Sequence, residues 1–344
     1  METMEKMLLK RMCPALLGSA LLFGVTACND DEGSDTPSSD GFSPYVTKVL
    51  DYRPAVGQFT NTMPEYEEGD TQEDMNRKVL EAIRDNRRTM ISLGGYGGYV
   101  VVGFDHTIEN KPGLCDFRVL GNAFNAGGQT EYGSSEPGII QVAYDANGNG
   151  RPDDDEWYEI AGSAHLGCRE AWFDELQAAG NDIRTVTDYR ITYYRPETET
   201  PADAEKYIRW TDSENGCGYI AKNGYHAQPY FPQWVEGNEL TFEGTRLPQN
   251  GLDLSGEGNN FALYKFAYGY ADNETNTADA SAIDIGWAVD AEGNPVDLPG
   301  ADFIRIYTGV NQQNGWLGEN STEVMGVEDL HLLEIRIESS ALKK

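Results

Sequence analysis

The chain reads as all-β and mainly antiparallel, a β-sandwich or jelly roll with a few short helices and long loops. Three observations carry that reading. More than ten short runs rich in β-branched and aromatic residues are bounded by Gly, Asn or Pro. Turn formers are abundant, with 38 Gly and 15 Pro spread along 344 residues. Helical periodicity is confined to two segments, which argues against an alternating helix–strand architecture. Apolar residues make up 39% and aromatics 11%, enough core-forming material for a folded protein despite a formal net charge of −31.

The amino terminus is an address. Lys6, Lys10 and Arg11 precede an apolar run over residues 13–25, which is too short to span a bilayer as a helix. The run ends in Val25-Thr26-Ala27-Cys28, small residues before a cysteine, and resembles the lipobox of bacterial lipoproteins. Residues 1–27 are therefore expected to be a lipoprotein signal peptide, and Cys28 the lipidated residue. Residues 28–44 are acidic, lack bases and are rich in Ser, Pro and Gly, so they read as a disordered acidic tether. An acidic tract directly behind the cysteine is similar to the surface-export signal of Bacteroidetes lipoproteins; the plainer alternative is a solvated tether. No later stretch is apolar enough to span, so the expected membrane attachment is the lipid anchor alone. Residues 45–344 then form a single compound β-sandwich domain.

From residue 45 onward strand signals dominate. Predicted strands cover 46–52, 89–93, 99–104, 116–120 and 139–144, then 157–160, 188–194, 207–210, 239–242 and 261–268. The last set is 283–289, 303–307 and 330–337. One helix is predicted over 71–86, opened by the capping box Thr71-x-x-Asp74, with Met75, Val79 and Ile83 on one face. A shorter one over 170–179 falls in a long insertion. Gly94-Gly95-Tyr96-Gly97-Gly98 is followed by a strand rather than a helix, so it reads as a tight hairpin with an aromatic tip, not as a phosphate cradle. Beyond Cys28, only Cys115, Cys168 and Cys217 remain, with no Cys-x-x-Cys spacing. That trio makes neither a disulfide framework nor a zinc site, and allows at most one disulfide.

One segment carries a sharp chemical pattern. Residues 145–156 fit D-x-[DN]-x-[DN]-G-x₅-E, the spacing of a calcium loop. Side-chain oxygens at its first, third and fifth positions turn inward, glycine at the sixth permits the bend, and the seventh offers a carbonyl. The corresponding candidate ligands are Asp145, Asn147, Asn149 and the carbonyl of Arg151, with Asp153 and Glu156 closing the site. Pro152 and strand-like flanks depart from an EF-hand, so the expectation is a calcium loop inside a β-hairpin with a structural Ca²⁺. The alternative is a solvated acidic turn. Many flexible oxygens suit Ca²⁺ better than Mg²⁺. Residues 270–276, with Asp279 and Asp284, are also oxygen-rich but lack a defined spacing; they read as an acidic surface loop rather than a second cation site.

Other chemistries find less support. With 57 Asp and Glu against 26 Lys and Arg, the chain lacks the basic face that nucleic acid or an anionic membrane surface requires. Neither Gly-x-Ser-x-Gly nor His-Glu-x-x-His occurs, and His106, His165, His226 and His331 are widely separated. Carboxylates are too numerous to single out a glycosidase pair. Aromatics among amides and prolines stand out instead. Tyr225, Tyr230 and Trp234 fall in one such segment and Trp316 in another; rigid rings beside amide donors suit a sugar or another flat, amide-rich ligand. The competing reading has these rings capping the core.

Several phrases together resemble a family of Bacteroidetes cell-surface lipoproteins. They are Ile91-Ser-Leu-Gly-Gly-Tyr-Gly-Gly-Tyr99, Val119-Leu-Gly-Asn-Ala-Phe124, Ser135-Glu-Pro-Gly138, residues 145–162, Ile191-Thr-Tyr-Tyr-Arg-Pro196, Gly269-Tyr-Ala-Asp-Asn273 and Gly315-Trp-Leu-Gly-Glu319. The resemblance spans most of residues 45–335. Members are similar to accessory proteins encoded beside TonB-dependent vitamin B12 uptake systems. The resemblance implies a non-enzymatic, surface-exposed outer-membrane lipoprotein that captures a small molecule, a corrinoid (vitamin B12) first, for a TonB-dependent transporter. It carries over no ligand-contact residue. A carbohydrate-binding or adhesion module with a glycan ligand is the alternative, and a glycan-processing enzyme the next.

Overall fold

Two strongly apolar strands form the centre of the fold. The computed structural model describes residues 41–85, 89–165, 167 and 169–343. The signal segment, Cys28 and most of the expected tether lie outside the described residues. In chain order, the strands of the two larger sheets are β1 (Lys48–Arg53), β2 (Tyr99–Glu109), β3 (Gly138–Ala143), β4 (Trp157–Ile160), β5 (Val186–Tyr194), β6 (Ile208–Asp212), β7 (Cys217–Ile220), β8 (Glu239–Arg246), β9 (Ala288–Val289) and β10 (Gly300–Thr308).

The six-stranded sheet runs β1-β2-β10-β3-β4-β9, with every pairing antiparallel. Its central strands β2 and β10 are buried along most of their length, as continuous apolar runs predict. Val100, Val102, Ile140, Ile304 and Ile306 pack in one cluster with Met75, Val79 and Ile83 of helix α1 (Gln72–Ile83). The same cluster takes in Phe117, Val119 and Val327 from a small sheet of Phe117–Leu120, Ala282–Ile283 and Gly326–Asp329. The predicted capping box opens α1. Thr71 Oγ1 accepts from Asp74 N at 3.3 Å, and Asp74 Oδ2 accepts from Thr71 N at 3.0 Å, an arrangement worth about 1 kcal/mol.

The four-stranded sheet runs β7-β6-β5-β8, also antiparallel. Here the period of two is clean. Tyr189, Ile191 and Tyr193 of β5 point into a second cluster with Tyr96, Tyr207, Tyr230, Phe231 and Phe242, while Arg190, Thr192 and Tyr194 alternate outward. The short helix α2 (Phe173–Ala178) buries Phe173 and Leu176 in a third cluster with Trp172, Tyr264, Phe266 and Tyr270. The described residues thus form an antiparallel all-β sandwich with two short helices, and they fall into one compact unit. Among them, no helix is long and apolar enough to cross a membrane.

Several expectations need correction. Residues 330–337 are not a strand: the preceding segment Gly326–Asp329 pairs instead. Asp329 Oδ1 accepts from His331 N and Leu332 N and turns the chain, and Glu334 sits at φ +58°. The predicted strand 283–289 is broken by a turn of 3₁₀ helix, Ile285–Trp287, capped by Asp284. The glycine hairpin at 94–98 is buried and its tyrosine is core: Tyr96 stacks edge-on against Tyr189 at 5.0 Å. A Cβ on Gly98 would come within 1.9 Å of the Leu93 carbonyl oxygen, so the close approach requires glycine there. Ordered contacts also begin slightly ahead of residue 45, because Phe42 stacks on His106 and Asp329 N donates to the Pro44 carbonyl at 2.8 Å. Cys115 and Cys217 are free thiols, the first buried and the second exposed; Cys168 lies outside the described residues.

Candidate functional site

The hairpin between β3 and β4 places the predicted cation loop at one end of the large sheet. Its flanks pair as strands, with Ala143 opposite Trp157, so the EF-hand's helices are absent here. Inside the loop the side chains fold back on the backbone. Asp145 accepts from Asn149 N at 3.0 Å and Gly150 N at 2.7 Å, and Asn147 Oδ1 also accepts from Asn149 N, at 3.0 Å. Gly148 and Gly150 adopt φ of +70° and +78°, the left-handed turns that this spacing demands. Glu156 reaches back to Ala146 N at 3.1 Å and Asp153 N at 3.0 Å. Asn149 Oδ1 accepts from Arg151 N at 2.9 Å, and the Arg151 side chain approaches Asp153 at 3.8 Å.

Asn147 Nδ2 and Asn149 Nδ2 both donate to Asp153 Oδ2, each at 2.7 Å. Asn147 and Asn149 thus converge on Asp153, while Asp145, Asp153 and Glu156 do not bring three carboxylate oxygens within 4.8 Å of one another. A half-turn of each amide about its last bond would put oxygens where the nitrogens now stand, and a cation between those oxygens and Asp153 would favour it. Carboxylate and amide oxygens are the ligand types that Ca²⁺ takes.

A second acidic group was not legible as a site. Glu136, Asp272 and Glu323 bring carboxylate oxygens within 4.8 Å of one another, the one three-acid group of this kind among the described residues. Asp272 and Glu323 are only 2% and 4% exposed. The expected acidic surface loop at 270–276 is thus corrected at its centre, where Asp272 is buried. Asp272 Oδ1 accepts from Asn122 N at 2.8 Å and Ala123 N at 2.9 Å, and its Oδ2 accepts from Glu323 N at 3.0 Å. A Cβ on Gly121 would lie 2.2 Å from that carboxylate, which is why glycine precedes the turn.

Ser321 joins the other two acids, donating its N–H to Glu136 and its hydroxyl to Glu323, both at 3.0 Å. Burial pushes the Glu136 carboxyl up to about 7, against the Ser321 N–H that favours its charge. Burial, then the charge of Glu136, drives Asp272 and Glu323 up as well. Among the described residues none of the three has an ion-pair partner. Three acids packed this closely, two buried and Glu136 partly so, cannot all be ionised, so the group shares at least one proton or takes up a cation. Nearby Glu319, accepting from Gln58 N at 2.7 Å, is likewise raised by burial to about 7.

No protein-family model matches the chain, and no curated protein matches it. The functional reading therefore rests on the residues themselves.

The four predicted ligand-contact rings divide into two pairs. Tyr225 and Trp316 are 88% and 56% exposed, and Asn223 ties their loops together. It accepts from Tyr225 N at 2.9 Å and donates to the Trp316 carbonyl at 2.7 Å. Tyr230 and Trp234 are corrected to packing roles. Tyr230 is fully buried against Tyr207, and Trp234 stacks on Tyr52 and Tyr66 while donating to Gln72. Three of the histidines serve the fold: His106 bridges Asp105 and Asp329, His165 bridges Glu159 and Tyr270, and His331 meets Asp116.

Proposed function

We propose that the chain is a non-enzymatic, calcium-stabilised ligand-binding protein, held at the outer face of the outer membrane by a lipid on Cys28. In this reading it captures a corrinoid for a TonB-dependent transporter. The observation that carries the binding role is the exposed pair Tyr225 and Trp316 on loops bridged by Asn223. Two large rings left in solvent, with the Asn223 amide linking their loops, offer faces for a flat ligand rich in carbonyls and amides. A non-enzymatic role is supported by the histidines: His106, His165 and His331 have side chains only 9% exposed, each engaged by a carboxylate. The calcium assignment rests on the donor set of the 145–156 loop.

Titration with cyanocobalamin by calorimetry tests the reading. Binding is expected in the wild type, weakened in Tyr225→Ala and Trp316→Ala. Absence of heat at high micromolar cyanocobalamin would remove the corrinoid from the proposal.

A further inference from the structure

The outer face of the four-stranded sheet carries a cavity of about 430 Å³, inside the roughly 300–1,000 Å³ range of small-molecule sites. Its lining includes Tyr194, Pro196, Pro201, Arg209 and Tyr219. Strand register explains the arrangement. Tyr219 of β7 sits directly opposite Arg209 of β6. Tyr193 of β5 sits opposite Trp210, so the next residue, Tyr194, comes alongside Arg209 on the outward face. The result is a row of Tyr219, Arg209 and Tyr194 across three strands, with the Arg209 guanidinium 4.7 Å from the Tyr194 ring centroid.

Arg209 differs from the other bases lining the cavity. Arg195 donates to the carbonyls of Gly237 and Val235 at 2.9 and 2.6 Å, and Lys206 pairs with Asp203 at 3.1 Å. Arg209 is exposed and, among the described residues, makes no ion pair and donates no side-chain hydrogen bond. In a chain with more than twice as many acids as bases, an oriented arginine without a carboxylate is a binding group. Packing over the Tyr194 ring holds the guanidinium on this face, leaving the donor fork for an oxyanion. Beside it the Tyr219 ring is 41% exposed. The lining also holds Glu197, Thr198 and Asp203, acceptors for hydroxyl groups. Their two carboxylates would repel phosphate, whose charge is concentrated on one centre, more than a sugar acid that sets one carboxylate on Arg209 and any second one a ring away.

We propose that this cavity binds a sugar ring that carries a carboxylate, with the carboxylate on Arg209 and the ring face against Tyr219. The site is built from residues other than Tyr225 and Trp316, and it stands or falls independently of the corrinoid reading.

Calorimetry with galacturonate, digalacturonate, neutral galactobiose and inorganic phosphate provides the test. Both acidic sugars are expected to bind, with galactobiose and phosphate weaker by about tenfold or more, since a hydrogen-bonded charge pair is lost or opposed. Arg209→Gln should weaken the acidic sugars by about tenfold or more, and Arg209→Lys should fall between it and the wild type, because the charge remains but the fork is gone. Tyr219→Ala should weaken both sugars without restoring phosphate. Unchanged melting temperatures would show that these variants fold. The proposal is overturned if neither acidic sugar gives heat at millimolar concentration, if Arg209→Gln binds like the wild type, or if phosphate or galactobiose binds as tightly as galacturonate.

Discussion

The hairpin loop at 145–156 and the buried group of Glu136, Asp272 and Glu323 both gather acids, and they handle them in opposite ways. The loop is solvent-facing and local. Its acids accept hydrogen bonds from backbone N–H groups a few residues away, and its amides turn toward Asp153. The buried group is assembled from three distant segments, and Asp272 alone holds the N–H groups of Asn122, Ala123 and Glu323. Water screens charge in the loop; in the core a proton or a cation must do so. Equal acidity in sequence therefore conceals two different energetic roles, one local surface turn and one internal knot that ties segments together.

The largest expected effect contrasts single deletions. Asp272→Ala leaves three backbone donors without their acceptor and should cost ~3–5 kcal/mol in urea unfolding. Asp145→Ala, measured without calcium, should cost less than ~1 kcal/mol because its loop is exposed. Equal losses would erase the distinction between the two regions.

Calcium comes next. At calcium about 100-fold above its dissociation constant, a single site adds about 2.7 kcal/mol, so chelation should lower the melting temperature by roughly 4 °C. That drop should vanish in Asp145→Ala and persist in Glu323→Gln.

The acids of the core give a pH signature. Glu136 and Glu319 are raised to about 7, so between the ordinary carboxyl range and pH 7 the folded state holds more protons than the unfolded one. Their contribution is complete below about pH 4.5 and is lost as pH rises toward 7. His106 adds in the same direction. Burial lowers it, but hydrogen bonds to Asp329 and Asp105 outweigh that and raise it, so its stabilisation holds below its ordinary value and fades above the raised one. Asp182 works oppositely: hydrogen bonds from Arg184 overcome burial and hold it at about 2, so its stabilisation is present above about pH 4 and lost in strong acid. Melting temperature should therefore be higher at pH 5 than at pH 7.5, and Glu136→Gln with Glu319→Gln should flatten the difference. A rise from pH 5 to 7.5 would contradict the assignment. Smallest of all, Trp316→Ala should change stability by less than ~0.5 kcal/mol while weakening the ligand.

How much was legible follows the same division between local and distant. The capping box at Thr71 and Asp74 was readable because its partners are three residues apart, and the hairpin loop at 145–156 because its Gly, Asp and Asn residues sit at fixed spacing. Strand alternation in Tyr189, Ile191 and Tyr193 was readable for the same reason. Residues 330–337 misled because an apolar run carries no mark of Asp329 turning the chain beside it. Tyr230 and Trp234 share the composition of Tyr225 and differ only in what packs over them. Glu136, Asp272 and Glu323 are separated by more than a hundred residues from first to second, and no spacing rule joins them. The one sequence hint was that Glu136 and Asp272 both lie in phrases that carry the lipoprotein resemblance.

The most direct test is a calcium titration by calorimetry of the wild type, Asp145→Ala and Glu323→Gln. Assignment of the cation to the exposed loop predicts one site in the wild type and in Glu323→Gln, and none in Asp145→Ala. Binding that survives Asp145→Ala but disappears in Glu323→Gln would move the cation into the buried group and contradict the account.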